Sequence, residues 1–517
     1  MTAKSRYEAL KQDRSSYLDR ARKCAKVTIP HLMPDEGATG STKFDVPEQS
    51  IGARGVNNVA AKLNLALFPP NAPYFKMEVD EILSQQLTNT DGQKDAIDQA
   101  LAQYVRRTMT DFEARALRAD LHEISRQLVV SGNASLYVPE EGRCRVYRLD
   151  RYVCKRDPAG NLIEWVGYDK IAKAALPDDI RNAAPQQQTT TPETAGGIQI
   201  SPSEDEVELY THVVLNEEGQ YDVYQEALDQ IIQGTQGTYL PEELPFLVLR
   251  FNKIDGEDYG RGHVEDYLGD LITLENLSKS IREFTSIASR VVPIISPNGY
   301  LTPKALTKAK NGEPVIGNRD DISFLQIERY NDFRVQKELI DKIESRLSFA
   351  FLLNTAIQRS GERVTAEEIR YMARELEDTL GGTYSVQAVD LQLPLARIQI
   401  KMLESRHALP ELPKNTVSPK VVTGLDALGR GNDLSNLLEF VNIVGNTPAA
   451  DRMRWENIIT RIGNSLNIEM NDLVLSDEEY QEQQNAALQQ QMLNQALPNA
   501  VNQIGGVVQK SMDNNDQ

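Results

Sequence analysis

Two helical seams with a non-helical module between them limit what this chain can fold into. Leu274, Leu277, Ile281, Phe284, Ala288 and Val291 recur at intervals of 3, 4, 3, 4 and 3 residues, the narrow apolar seam of a helix packed against another helix. A segment of roughly 25 residues with that seam is about 37 Å long. Helical spacing returns at Ile340, Ile343, Leu347 and Ala350, while Pro293 to Arg329 breaks into prolines, glycines and short apolar pieces. The pattern predicts a helical hairpin carrying a compact module. At 517 residues the chain also exceeds the roughly 250–300 at which single cores split, so two or more regions are expected.

Upstream of the hairpin, an amphipathic helix is expected from about Ser5 to Cys24, a second from Gly52 to Phe68, stopped by Pro69, Pro70 and Pro73, and a third from Ala96 to Val130. Between Ala134 and Val166 the pattern turns to short β-rich pieces around an Asp157–Asn161 turn, and strand-like pieces resume at Val207–Leu215, Tyr221–Tyr224 and Phe246–Phe251. The polar stretch from Gln186 to Glu206 reads as a mobile surface insertion. The fold class is α+β, predominantly helical.

Downstream, Asn354 to Val364 reads as a loop in which Gly361 is flanked by Arg359, Glu362 and Arg363. Thr365-Ala366-Glu367-Glu368 is a capping box that opens a long helix. Gly381, Gly382 and Pro394 interrupt that helix, and glycine pairs and prolines are recognised causes of bending. The last region reads as helical with turns. It ends in a segment with seven glutamines among the fifteen residues from Gln481 to Gln495, read either as a polar helix or as a frayed tail.

The chemistry that enzymes advertise is missing. No Gly-Lys pair occurs, so a Walker A loop is excluded, and Tyr259-Gly260-Arg261-Gly262-His263-Val264-Glu265 has Glu265 where a dinucleotide fingerprint needs its third glycine. His31, His122, His212, His263 and His407 are scattered without metal-ligand spacing; His263 beside Glu265 and Asp266 could bind a metal, but it reads first as a hydrogen-bonded surface histidine. Cys24, Cys144 and Cys154 are too few and too far apart for a disulfide framework and read as buried thiols. No cofactor and no metal are expected. Neither a secretory signal at Met1–Glu8 nor an apolar run of ~18 residues points to a membrane.

With 56 basic against 75 acidic residues the net charge is −19. That argues against wrapping nucleic acid by neutralising phosphates. It fits a solvated acidic surface, and it also fits a wall that surrounds DNA while letting it slide. Arg359 and Arg363 are DNA-contact candidates or salt-bridged loop residues. Lys304, Lys308 and Lys310 could meet an acidic partner or form ordinary surface. Unaided, the residues describe an acidic, helical, oligomeric scaffold.

At these residues the sequence resembles the portal, or head-to-tail connector, family of short-tailed bacteriophages of the autographivirus type. The resemblance is carried by SRYEALKQDRSSYLDRARKCAKVTIPHLMP from Ser5, IGARGVNNVAAKLNLALFPP from Ile51, RQLVVSGNASLYVPE from Arg126, YGRGHVEDYLGDLITLENLSKSI from Tyr259, SFAFLLNTAIQRSGERVTAEEIRYMARELEDTLGGTYS from Ser348 and TGLDALGRGNDL from Thr423. It fades in the 186–206 insertion and the tail.

The resemblance implies a virion protein, not an enzyme: a ring of twelve copies at one capsid vertex through which DNA is packaged and ejected. It implies a wing over 1–265, stem helices over 266–290 and 330–353 bracketing a clip over 291–329, and a tunnel loop over 354–364. A long kinked helix over 365–405, wing and crown helices over 406–475, and a crown or disordered tail over 476–517 complete the plan. Arg359 and Arg363 then become lumen residues touching DNA transiently and without sequence preference. Lys304, Lys308 and Lys310 face the packaging ATPase, or terminase, and later the tail adaptor, and Gly381, Gly382 and Pro394 are the kink positions. Scaffolding, major capsid and internal core proteins are further implied partners, with assembly in the host bacterial cytoplasm. The competing readings are a cytosolic helical enzyme and a solid coiled-coil scaffold without a channel.

Overall fold

A computed structural model describes residues 2–70, 72–79, 93–177, 206–288, 293–297, 302–310, 314, 316, 318, 320, 322–324, 330–353, 382–410, 412, 417–421, 439–444, 458–459 and 462. Two units, 1–428 and 429–517, divide the chain. In the second, residues 439–444 are helical; everything below belongs to the first.

Thr2 starts helix α1 (Ala3–Lys26) by accepting a hydrogen bond from the Ser5 amide, and Lys23 and Lys26 sit at its carbonyl end, where a cation is favoured. Its buried face runs Tyr7, Leu10, Arg14, Leu18, Ala21. Arg14 is tolerated inside because its Nη1 donates to the Leu149 and Tyr152 carbonyls at 3.1 and 2.8 Å. Helix α2 (Ile51–Leu67) follows, then strand β1 (Phe75–Val79).

The expected single helix over 96–130 is instead two, α3 (Gln93–Ala114) and α4 (Leu117–Ser131). The break is at Ala116, which is left-handed with φ 54°, a state costing an L-residue roughly 1–2 kcal/mol. Neighbouring arginines hold it there: Arg115 donates to the Gly142 and Pro139 carbonyls, and Arg118 to those of Phe68 and Pro69. No glycine or proline signals the break, so periodicity alone ran through it.

Strands β2 (Asn133–Tyr137), β3 (Arg145–Arg148) and β10 (Phe246–Arg250) form an antiparallel sheet in the order β10-β2-β3. A second antiparallel sheet has β4 (Tyr152–Arg156), β5 (Leu162–Ala172), β6 (Glu206–Leu215), β7 (Tyr221–Ala227) and β8 (Gln230–Ile231) in sequence order, with β9 (Gly237–Tyr239) also on β7. Glu206 is thus the first residue of β6; the rest of the expected insertion, 186–205, lies outside the described residues. One core joins α1, α2, α4, both sheets and the base of the hairpin.

The hairpin helices are α6 (Leu268–Ala288), preceded by the short α5 (His263–Asp266), and α8 (Tyr330–Ala350). They run antiparallel, Arg346 Nη2 meeting Asp270 Oδ1 at 3.0 Å, and bury Leu271, Leu274, Ile343 and Leu347. Between them lie β11 (Pro293–Ile295), α7 (Pro303–Lys308) and β12 (Ile322–Phe324), with β11 and β12 paired antiparallel.

Helix α9 (Gly382–Gln387) passes through a π-helical turn, Ala388–Gln392, into α10 (Leu393–Ser405). Pro394 has no amide to donate and its ring crowds the carbonyl four residues back, inside that wider turn. The buried Gln387 and Gln392 donate to the Arg250 and Leu67 carbonyls, and Gln399 accepts from the Tyr74 hydroxyl at 2.7 Å. Strand β13 (Val417–Val421) pairs antiparallel with β1, a strand in a region expected to be helices joined by turns. Pro419 stands opposite Met77 there, which a ribbon of two strands among the described residues accommodates.

Candidate functional site

Where α8 ends, the chain enters the segment that the sequence marks as a loop, and that exit is built with unusual care. Leu352 is left-handed, φ 58°, a position where glycine is the usual helix terminator. The side chains of α2 reward it. Asn58 Nδ2 donates to the Phe351 and Leu352 carbonyls, both at 2.9 Å, and the buried Lys62 ammonium reaches the Leu352 carbonyl at 3.0 Å. These bonds satisfy carbonyls that a helix end leaves without partners and place a cation at the negative end of the dipole.

From the other side, His263 Nε2 lies 3.0 Å from the Ala350 carbonyl; a carbonyl only accepts, so Nε2 carries the hydrogen. Burial pushes the His263 imidazole below its ordinary pKa, and the Ala350 carbonyl pulls the other way. His263 is buried, not a surface histidine as the sequence suggested. Its ring packs edge-on against Phe351 at 5.4 Å. Gly55 completes the socket, since a Cβ there would lie 2.5 Å from the Phe351 ring.

Glycines also explain the failed dinucleotide motif. Gly132, left-handed at φ 74°, leaves no room for a side chain against Arg261, and Asn133 ties the two segments by exchanging hydrogen bonds with Gly260 at 2.7 and 2.8 Å. The Gly260–Gly262 turn serves close backbone packing at the root of the hairpin.

Helix α8 carries two stripes with the same 4, 3, 4, 3 spacing, one residue out of step. Gln336, Ile340, Ile343, Leu347 and Ala350 face α6, with Ile343, Leu347 and Ala350 buried. Val335, Leu339, Lys342 and Phe349 face outward, with Val335 64%, Leu339 42% and Phe349 74% exposed, and Arg346 on the same stripe turns its guanidinium back to Asp270 of α6. Helical geometry separates the two by about 100°. An apolar stripe with cations in its middle is thus left uncovered within the chain, which marks an interaction surface.

The residues singled out from sequence are not gathered in one place. Arg359 and Arg363 lie outside the described residues, as does Gly381. Lys304 and Lys308 lie on α7 and Lys310 just after it, all exposed. Gly382 opens α9, exposed, and Pro394 follows the π turn. The three thiols are buried, which pushes Cys24 and Cys144 to about 12 and Cys154 to about 11. Among the described residues no group of three or more His, Cys, Asp or Glu side chains could hold a metal, and no helix is long and apolar enough to cross a membrane.

A family model described as bacteriophage head to tail connecting protein matches residues 1–474. The chain belongs to that family. Its connector relatives include the portal protein of Escherichia phage T7, 44% identical over 489 residues that cover 93% of this chain and 89% of the relative. That of Enterobacteria phage SP6 is 30% identical over 519 residues, 98% and 96% of the two chains. A solved neck structure of an empty gene-transfer-agent (GTA) particle, aligned over 82% of this chain and 91% of its own, has 12% identity and a TM-score of 0.37, a likeness too loose to carry an argument. Connector membership makes this chain a structural component of the phage head-to-tail connection and not an enzyme.

Sequence reasoning missed Asn58 and Lys62. The available signal was two polar residues four apart on the otherwise apolar face of a helix, a pattern that asks for buried partners.

Proposed function

We propose that the chain assembles into a closed ring of twelve copies at one capsid vertex and forms the channel for double-stranded DNA during packaging and ejection. The outward stripe of α8 carries this reading. An uncovered 4, 3, 4, 3 seam beside a covered one calls for a neighbouring helix, and repetition of one unlike-to-unlike contact generates a ring when the rotation closes. A net charge of −19 per copy supports a mostly acidic bore along which DNA slides.

In this reading the wing is 1–265, the stem 266–290 and 330–353, the clip 291–329, the tunnel loop 354–364, the kinked helix 365–405 with Gly381, Gly382 and Pro394 as its bends, and the wing and crown helices 406–475. The segment 476–517 is a crown or disordered tail, and the 186–205 stretch a mobile insertion. Arg359 and Arg363 touch DNA phosphates in the lumen. Lys304, Lys308 and Lys310 on the clip meet the packaging ATPase and then the tail adaptor. Scaffolding, major capsid and internal core proteins complete the partners, and assembly takes place in the host cytoplasm, nucleating the head.

Native mass spectrometry with negative-stain microscopy tests the assembly. Open-centred rings of about twelve subunits of 57.9 kDa are expected, and a compact monomer across salt and protein concentration would overturn the ring.

A further inference from the structure

Between the first two helices, residues Thr42 to Glu48 run as a largely exposed arm without regular structure beside the hairpin. At its far end Thr42 closes a turn with Thr39, its amide donating to the Thr39 carbonyl at 3.0 Å and its hydroxyl oxygen accepting from the Thr39 amide at 2.8 Å. Among the described residues, 43–47 make no backbone hydrogen bond to the rest of the chain, and Val46 is 85% exposed with Phe44 two residues before it also exposed. Its root is fixed: the Glu48 amide donates to both carboxylate oxygens of Glu275 at 2.9 and 3.0 Å, the Gln49 amide to one of them at 3.3 Å, and Arg282 Nη2 meets Glu48 Oε1 at 2.8 Å. Both Glu275 and Arg282 belong to α6.

The height of that root is informative. The Asp270–Arg346 pair sets the antiparallel register, so Glu275, five residues further along α6, stands level with Asp341, and Arg282 stands level with Arg334. The arm therefore leaves the hairpin at the height of Val335 and Leu339, the uncovered apolar residues of the other helix. Rotation about a ring axis moves nothing along it, so where hairpins stand along that axis a segment meets its neighbour at its own height.

Polarity and charge agree. Phe44 and Val46, 37% and 85% exposed, offer two apolar side chains to Val335 and Leu339, which stand one helical turn apart. Asp45 and Lys342 have no ion-pair partner within the chain among the described residues, and each would supply the other's.

We infer that the 42–48 arm of one copy docks on the Val335-Leu339-Lys342 stripe of the next, stapling adjacent subunits. This rests on the ring reading and adds to it a specific contact, unlike to unlike, that closes in one direction only.

Disulfide trapping tests it in the full chain. The three native thiols are buried, so the paired substitutions Val46→Cys and Leu339→Cys, oxidised under mild conditions, are expected to give a ladder of covalent multimers on a non-reducing gel, absent from either single variant. Intact rings without a ladder would overturn the arm contact and leave the ring standing. Dimers from Val46→Cys alone, or an internally linked monomer from the pair, would overturn it too. Absence of rings in the parent chain would defeat the ring reading itself. Should the pair fail to assemble, Phe44→Cys with Val335→Cys asks the same question one step along.

Discussion

Inside the six-stranded sheet, Arg6 and His212 converge on one carboxylate. Arg6 Nε and His212 Nε2 lie 2.9 and 2.8 Å from Glu164 Oε1, and His212 Nδ1 lies 2.7 Å from the Tyr224 hydroxyl. Burial pushes the Glu164 carboxyl up, but the bonds from Arg6 and His212 win and take it from 4.5 to about 2. A carboxyl whose folded pKa lies below its unfolded one stabilises the fold above the unfolded value, and that contribution disappears as pH falls through the folded one. The shift corresponds to roughly 3 kcal/mol at neutral pH. Urea midpoints measured by circular dichroism are therefore expected to fall steeply from about pH 4.5 to 2 in the parent chain and less so in Glu164→Gln. Parallel curves for the two would show that this carboxylate does not control the acid limb. Arg6 fastens α1 to the sheet here, and a separate bond does so beside it, Glu226 accepting from the Ala3 amide at 2.7 Å.

Among the elements, α8 depends on side chains it does not own. Asn58→Ala removes the side-chain donor from the Phe351 carbonyl and leaves that of Leu352 to Lys62 alone, and an unpaired buried carbonyl costs about 1–3 kcal/mol. Faster amide exchange over 348–353 is expected, with the β4–β7 sheet unchanged; equal acceleration in both would mean global destabilisation instead. The hairpin itself was legible because its seam is long and regular, and most strands of the two larger sheets because period and turn residues agree there. The split at Ala116 was not, since its cause is Arg115 and Arg118 reaching carbonyls far along the chain. β13 was hidden because a five-residue strand around Pro419 has meaning only beside β1. The bends at glycine and proline were expected without the π turn, which is a backbone solution that residue types do not announce. As for the site, the loop arginines and clip lysines came from charge and the resemblance, whereas Asn58, Lys62 and His263 act through partners that only folding supplies.

For the whole particle, the proposed lumen contact has its own signature. Arg359→Ala with Arg363→Ala is expected to leave rings intact while altering the amount of DNA packaged or retained, with a dependence on salt that weakens when the two charges go. Virions carrying both changes with normal genome content and normal ejection would remove these arginines from the channel. Loss of ring assembly would instead assign them to contacts between subunits.

The hairpin's footing has a mechanical meaning. Helices of 21 residues are about 31 Å long, and this pair is held at one end by Gly132, His263, Asn58 and Lys62 and carries at the other, among the described residues, the β11–β12 pair and α7. That is a cantilever, whose sideways deflection under a given load grows with the cube of its free length. Any side load at the tip is therefore greatest, as bending moment, at the socket around Phe351, and stiffness there sets how far the tip travels.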